Sequence, residues 1–165
     1  MRNKQKGFSL IELLIVVAII LIIAAIAIPN LLRSRMSANE ASAVGTLRTL
    51  NSVMVQYAST YTDINNLPCG FPPALANLGP GTPASNATAD LVDGVLGMDP
   101  ATKSGYVFTF TQPTQDTNGC GIDYTLNADP VTFNTTGLRT FFTDQSGVVR
   151  QRTDGTAAGV GDPPV

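Results

Sequence analysis

A run of sixteen apolar residues, Leu13 to Ile28, constrains this chain more than any other feature of its sequence. Extended back to Phe8, the run covers twenty-one residues and is interrupted only by Ser9 and Glu12. As a helix with a rise of ~1.5 Å per residue it spans roughly 31 Å, close to the thickness of the hydrocarbon core of a bilayer. The sequence therefore predicts one membrane-spanning helix near the N-terminus.

Charged residues are distributed unevenly around this run. Arg2, Lys4 and Lys6 precede it, whereas the chain from Phe8 onward carries 7 of the 10 basic residues and all 12 acidic ones. Basic residues ahead of a first span tend to stay in the cytoplasm, so we expect the remainder to lie outside it. An acidic exported part has no broad basic footprint, and no nucleic-acid partner is predicted.

The residue types argue against several kinds of catalytic or metal site. The chain has no histidine and no C-x-x-C pair, which disfavours a histidine-based triad, a histidine-ligated metal and a structural zinc site. We therefore predict neither an enzyme nor a cofactor. The two cysteines, Cys69 and Cys120, lie in the exported part, where an oxidising compartment favours a disulfide between them.

Two ordinary interpretations of the N-terminus leave features unexplained. A cleaved secretory signal has a shorter apolar core and a small-residue cleavage site after it, and neither is found here. A plain single-pass anchor accounts for everything except Glu12, since a carboxylate at the centre of a span costs on the order of 2.5–3.5 kcal/mol on insertion scales. Glu12 therefore needs a partner and a role.

The stretch Lys6-Gly7-Phe8-Ser9-Leu10-Ile11-Glu12-Leu13-Leu14 follows a short basic leader and opens the apolar segment. It resembles the prepilin cleavage and methylation signature of type IV pilins and their pseudopilin relatives. The resemblance covers about the first 35 residues, including Pro29, which falls where many pilins have a helix-kinking proline. The remaining 130 residues resemble the family only in general architecture.

The resemblance implies a specific processing and assembly route. A membrane prepilin peptidase would cut between Gly7 and Phe8 and methylate the new amino group of Phe8. Residues 1–7 would be a leader, residues 8–30 the membrane-spanning and filament-core half of a helix, and residues 31–165 its amphipathic half plus a globular head. Glu12 would face the positive amino terminus of a neighbouring copy and set the assembly register.

Further partners follow from the same resemblance. Membrane lipid would surround the segment before assembly, the inner-membrane pilus assembly machinery would extract it, and other copies of the chain would surround it in the filament. The expected location is the inner membrane, with a cytoplasmic N-terminus, and then the cell surface.

Helical periodicity continues after the apolar segment. The apolar residues of this stretch recur at spacings of three and four and share one face, while polar residues such as Arg48 and Asn51 fill the others. The stripe consists of Val44, Leu47, Leu50, Met54, Tyr57 and Tyr61. We predict a helix from about Phe8 to Tyr61, bent or locally melted at Pro29, whose second half packs on the head.

Alternating patterns predict an antiparallel sheet with one apolar face. Four strands are expected, at residues 106–111, 122–128, 138–143 and 148–152, with a turn at residues 144–147. The predicted fold is α+β: a long N-terminal helix packed on a four-stranded antiparallel sheet, as in pilins. Residues 68–90 are predicted to form a surface loop, and residues 153–165 a loosely ordered tail.

Several polar residues in the head are minor candidates for sites. Asp90, Asp93 and Asp99 precede the first predicted strand and offer the oxygen ligands of calcium, although their spacing matches no strict pattern and solvated loop carboxylates are commoner. Asn86 and Asn134 begin sequon triplets, which occur often by chance.

Three functions remain open at this point. The leading hypothesis is a structural subunit of a type IV pilus serving adhesion, twitching motility or DNA uptake. A pseudopilin of a type II secretion system shares the N-terminal signature but forms a short periplasmic piston. A membrane-anchored periplasmic binding module would use the same head for a ligand and remain monomeric.

Overall fold

A computed structural model of the chain describes residues 8–61, 70–112, 114–117 and 120–165. One long helix, α1, runs over Leu10–Thr60, and a short 3-10 helix covers Leu75–Leu78. Five strands follow: β1 Ala101–Lys103, β2 Tyr106–Thr111, β3 Thr125–Pro130, β4 Thr140–Asp144 and β5 Arg150–Arg152. The chain divides into two compact units, Met1–Arg35 and Met36–Val165.

Helix α1 continues through Pro29 without a break, so the local melting considered for this position does not occur. Proline has no N–H and normally removes a hydrogen bond from the helix interior. In the same turn, Asn30 Nδ2 donates an additional hydrogen bond to the carbonyl oxygen of Ile26 at 3.0 Å. The helical hydrogen bonding is thereby supplemented in the turn that proline weakens.

The five strands form one antiparallel sheet in the order β1-β2-β3-β4-β5. The prediction of four strands was wrong, because β1 has only three residues and is too short to show an alternating pattern. Its partner is set by a tight turn at Ser104 and Gly105, whose φ angles are 50° and 74°. Two successive positive φ values are typical of the hairpin turns that match the twist of a sheet.

The last three strands all begin two or three residues later than predicted. For β3 and β4, polar contacts occupy the residues before the strand. Asp123, expected within a strand, instead accepts hydrogen bonds from the amide and hydroxyl of Thr114 at 3.1 and 3.0 Å. The amide of Leu138 donates to the carboxylate of Glu40 at 2.8 Å instead of joining the sheet. The predicted turn after β4 is confirmed: Gly147, with φ 73°, donates to the carbonyl of Asp144 at 2.9 Å.

The core of the second unit lies between one face of the sheet and the second half of α1. The predicted stripe is buried from Val44 to Tyr57, with Leu47, Leu50 and Met54 fully inaccessible. Opposite it lie the large inward-facing side chains of the strands. These are Tyr106, Phe108, Phe110, Leu126 and Phe141. The α+β arrangement expected from the sequence is therefore confirmed.

The segments before and after the sheet are better packed than their composition suggests. Leu75 and Leu78, in the region predicted as a surface loop, are completely buried, and the amide of Ala89 donates to the carbonyl of Asn77 at 2.8 Å. The C-terminal residues, predicted to be loosely ordered, return to the sheet: the Gln151 amide donates to the Pro163 carbonyl at 2.9 Å. A few buried apolar side chains and backbone hydrogen bonds therefore give a defined structure to segments that lack a periodic sequence pattern.

Candidate functional site

The first unit is an apolar helix with no interior of its own. From Phe8 to Arg35 every residue is exposed except Ala24, which is half-buried. Helix α1 is long and apolar enough to cross a membrane, with a window of mean hydropathy 3.3, none of which is buried. Because burial of apolar surface is favourable by about 25 cal/mol per Å², this segment is stable only where something apolar surrounds it.

The carboxylate of Glu12 caps the N-terminus of helix α1. Its Oε2 accepts the backbone N–H of Ser9 at 3.0 Å, and the Leu13 amide donates to the carbonyl of Ser9 at 3.2 Å. Ser9 and Glu12 have the S-x-x-E spacing of a capping box and make one of its two contacts, in which the acid accepts the N–H of the residue before the helix. This role was not predicted from the sequence, although the spacing of the two residues was its signal.

The expected processing site lies at the edge of the described chain. Gly7 is outside the described residues. Phe8 precedes the helix by two residues, and 78% of its surface is exposed. The side chain of Phe8 is therefore not packed against the other described residues.

A charged network fixes the second half of α1 to the sheet. Glu40 is buried, and its Oε2 accepts hydrogen bonds from Arg139 Nη2 at 2.8 Å and Nε at 2.9 Å. Its Oε1 accepts the amide of Leu138. Arg139 Nη1 donates to Gln151 Oε1 at 2.7 Å. Since every oxygen of this buried carboxylate has a donor, its charge is compensated and helix, β5 and the segment before β4 are tied together.

Two tyrosines lie in this interface with shifted pKa values. Tyr106 donates its hydroxyl to the carbonyl of Arg139 at 2.7 Å; burial, and then the charge of Glu40, raises its pKa well above the ordinary range. Burial and the charge of Asp144 raise the pKa of Tyr124 to about 12. Both phenols are therefore neutral in the folded unit at physiological pH.

Asn51 is a second polar connection between helix and sheet. Its Nδ2 donates to Thr143 Oγ1 at 2.9 Å, and its Oδ1 accepts the hydroxyl of Tyr124 at 3.1 Å. The expectation that this residue lies on a polar face away from the packed stripe was wrong. One asparagine beside an apolar stripe gives no signal of the partners that lie 92 and 73 positions away.

The three aspartates that were minor candidates for calcium ligands do not form a cluster. Within the part of the chain that the structure describes, no group of three or more His, Cys, Asp or Glu side chains is arranged to hold a metal ion. Asp93 instead accepts the amide of Leu96 at 2.8 Å and lies 3.5 Å from Lys103 Nζ, and these contacts lower its pKa. Asp90 and Asp99 are exposed.

One cysteine of the predicted pair belongs to the described residues. Cys69 lies outside them, so its pairing with Cys120 stays a prediction. Cys120 is buried in the segment before β3, and its amide donates to the carboxylate of Asp116 at 2.9 Å. Of the two sequon asparagines, both exposed, Asn86 accepts the Tyr57 hydroxyl through its carbonyl at 2.6 Å.

The chain is similar to known proteins in its N-terminal segment and, for two relatives, over about half of its length. The prokaryotic N-terminal methylation motif matches residues 2–28. The chain is 42% identical over 92 residues to the type IV wide pilus major component PilA4 of Thermus thermophilus, covering 56% of this chain and 66% of that protein. It is 40% identical over 77 residues to the type IV major pilin protein PilA of Myxococcus xanthus, covering 45% and 34% respectively.

These matches cover slightly less than two thirds of the first relative and about a third of the second. No solved structure matches the chain.

Proposed function

Because this chain belongs to the type IV pilin family, we propose that it is a structural subunit of a type IV pilus that polymerises through its N-terminal helix. The observation that carries this proposal is the helix over residues 10–35, which begins within the methylation motif and has no buried residue. An apolar surface of this extent needs lipid before assembly and other copies of itself afterwards.

The first step of the proposed route is processing. A prepilin peptidase cuts between Gly7 and Phe8 and methylates the Phe8 amino group. The position of Phe8, exposed and ahead of the first helical residue, supports this because the residue is accessible to a peptidase. The mature chain then has 165 − 7 = 158 residues, and an intact-mass measurement tests for that length plus one methyl group.

The second step is anchoring and extraction. Basic residues at positions 2, 4 and 6 keep the N-terminus in the cytoplasm, and the head folds on the other side of the inner membrane. The assembly machinery then lifts subunits from the membrane into a filament at the cell surface. Both curated relatives carry names of pilus components, which favours this assembly over a secretion pseudopilin.

Glu12 has the central role in assembly. Its Oε2 caps its own helix, and a carboxylate has capacity for further donors, so the same group can also accept the methylated amino terminus of a neighbour. At ~4 Å and an effective dielectric near 20 such a pair is worth roughly 4 kcal/mol, comparable to the cost of burying the carboxylate. A subunit docked out of register leaves that charge unpaired.

Glu12→Gln tests this role sharply, because glutamine keeps an oxygen that can cap Ser9 but removes the charge. We expect normal amounts of processed subunit in the membrane and a loss of sheared surface filaments, counted by electron microscopy. Ser9→Ala is the matched control, since it leaves the backbone N–H that Glu12 binds, and it should assemble normally. Filaments at the unmodified level from Glu12→Gln cells would contradict the charge-pairing role.

A disulfide between Cys69 and Cys120 belongs to the same proposal, because the head matures in an oxidising compartment. In the chain-entropy model, closing this loop of about 51 residues stabilises the fold by roughly 4 kcal/mol. We expect alkylation of the native protein to modify neither thiol until a reductant is added. Modification of both without reductant would exclude the bond.

A further inference from the structure

The C-terminal residues 153–165 lie against the outer face and the free edge of the sheet. On the outer face, Asn127 Nδ2 donates to the carbonyl of Ala158 at 3.0 Å, and Thr140 Oγ1 donates to that of Thr156 at 2.7 Å. At the edge, Arg150 faces Pro164 in an antiparallel bridge. We refer to residues 153–165 as the C-terminal strap.

A carboxylate anchors the strap to β5. Asp162 accepts Arg152 Nε at 3.0 Å and Nη2 at 2.9 Å, and its carbonyl accepts Arg150 Nη1 at 3.0 Å. The amide of Gly159 donates to the same carboxylate at 2.7 Å. The hydrogen bonds from Arg152 hold the pKa of Asp162 below its ordinary value, so the anchor remains ionised at neutral pH.

The strap occupies the backbone groups that β5 would otherwise present to solvent. β5 is the last strand of the sheet, so one of its sides has no further strand beside it. On that side the Gln151 amide donates to Pro163 at 2.9 Å, and the Val149 carbonyl accepts the Val165 amide at 3.0 Å. Unpaired groups of this kind are a template for strand addition by another chain.

The far side of the strap is itself a poor template. In the antiparallel arrangement the backbone groups of Pro163 and Val165 face β5, so those of Pro164 face away. Proline has no N–H, and the outward side of the strap therefore offers no donor at Pro164. Any other residue at position 164 would direct a backbone N–H away from β5, where another strand could bind it.

We propose that the C-terminal strap terminates the sheet and prevents a second copy of this chain from adding a strand at β5. The contacts that carry this inference lie in the head; the need for it rests on the proposed assembly of many copies. A chain whose copies are brought together at high local concentration has particular need of such protection, because edge pairing between heads competes with any ordered association.

Three variants of the full-length chain in detergent test the strap. Deletion of Pro163–Val165 exposes the edge of β5, Pro164→Ala adds an outward N–H, and Pro163→Ala adds an N–H directed at β5. The readout is the protein concentration at which an intermolecular-sheet band appears in the infrared spectrum. Association through the N-terminal helix adds no sheet, so this band separates the two processes.

We expect the deletion to lower that concentration about tenfold, as one or two additional hydrogen bonds would. Pro164→Ala should lower it about threefold, and Pro163→Ala should match the unmodified chain. A deletion variant with native circular dichroism and an unchanged threshold would overturn the proposal. If the deletion does not fold, the two substitutions decide alone, and equal thresholds for them overturn it.

Discussion

The two halves of helix α1 differ in where their apolar side chains can be buried. Residues 13–28 are apolar on all sides and none of residues 10–35 is buried, whereas residues 36–60 are more polar and bury one stripe. Nine residues of the second half are buried, including the charged Glu40. The half that packs within its own chain is therefore the one with apolar residues on one face and polar residues on the others.

This contrast has a physical basis. A helix with an apolar stripe can satisfy that stripe against one sheet and leave its polar faces in water. A helix that is apolar on every side still exposes apolar surface when one face is packed on a sheet. It therefore needs apolar surroundings on all sides. The first half thus depends on lipid or on other copies, and the second half on the sheet.

Removing residues 1–35 should separate the two halves with the largest effect. We expect residues 36–165 to be soluble without detergent and monomeric, because the stripe from Ala43 to Tyr57 still covers the sheet. Sedimentation and circular dichroism measure this, with the full-length chain as the control. An insoluble or unfolded fragment would mean that the second unit needs the first.

A matched pair of leucine and isoleucine truncations compares burial in the two halves. Leu50→Ala removes a fully buried side chain and should lower the free energy of unfolding of the head by about 2–5 kcal/mol. Ile20→Ala, at a site that is 58% exposed, should leave it unchanged. Near-ultraviolet circular dichroism of full-length chains in urea reports on the head alone, since all four tyrosines follow Arg35. Equal destabilisation by both changes would contradict the contrast.

The two glutamates of the helix allow a smaller comparison. Glu40→Gln removes the charge that Arg139 contacts, and we expect a loss of about 1–3 kcal/mol in the stability of the head. Glu12→Gln, in the first half, should have no effect on that stability. The same urea titration checks both, and an unaffected Glu40→Gln head would show that the ion pair contributes nothing net.

Raising the pH into the alkaline range should destabilise the second unit through its buried tyrosines. At neutral pH these tyrosines should cause no change in its stability. Burial raises the pKa of Tyr124 to about 12, and it also raises that of Tyr106. Unfolded tyrosine titrates near pH 10, so the folded state holds these protons more tightly. The contribution of these two tyrosines to stability is therefore constant below about pH 10 and falls as the pH rises towards 12. Tyr124→Phe should make the fall shallower in urea titrations at increasing pH; an identical slope would contradict this.

How much of the molecule was predictable differs from element to element. The extent of α1 followed from local periodicity, since Leu47, Leu50 and Met54 repeat at helical spacing. The capping contact between Ser9 and Glu12 was also local, and its three-residue spacing was available but unused. β1 was missed because three residues carry too little pattern, and its turn at Ser104-Gly105 was the better signal.

The sequence alone determined the apolar first half of the helix, the stripe of its second half and the sheet class, because periods of 3.6 and 2 are properties of neighbouring residues. Only the tertiary structure decided which polar groups fasten these elements together. Glu40 meets Leu138 and Arg139 across 98 and 99 positions, and no local pattern encodes such a pairing. The strap is decided in the same way: residues 153–165 have no periodicity, and β5 and the outer face of the sheet supply the donors and acceptors that order them.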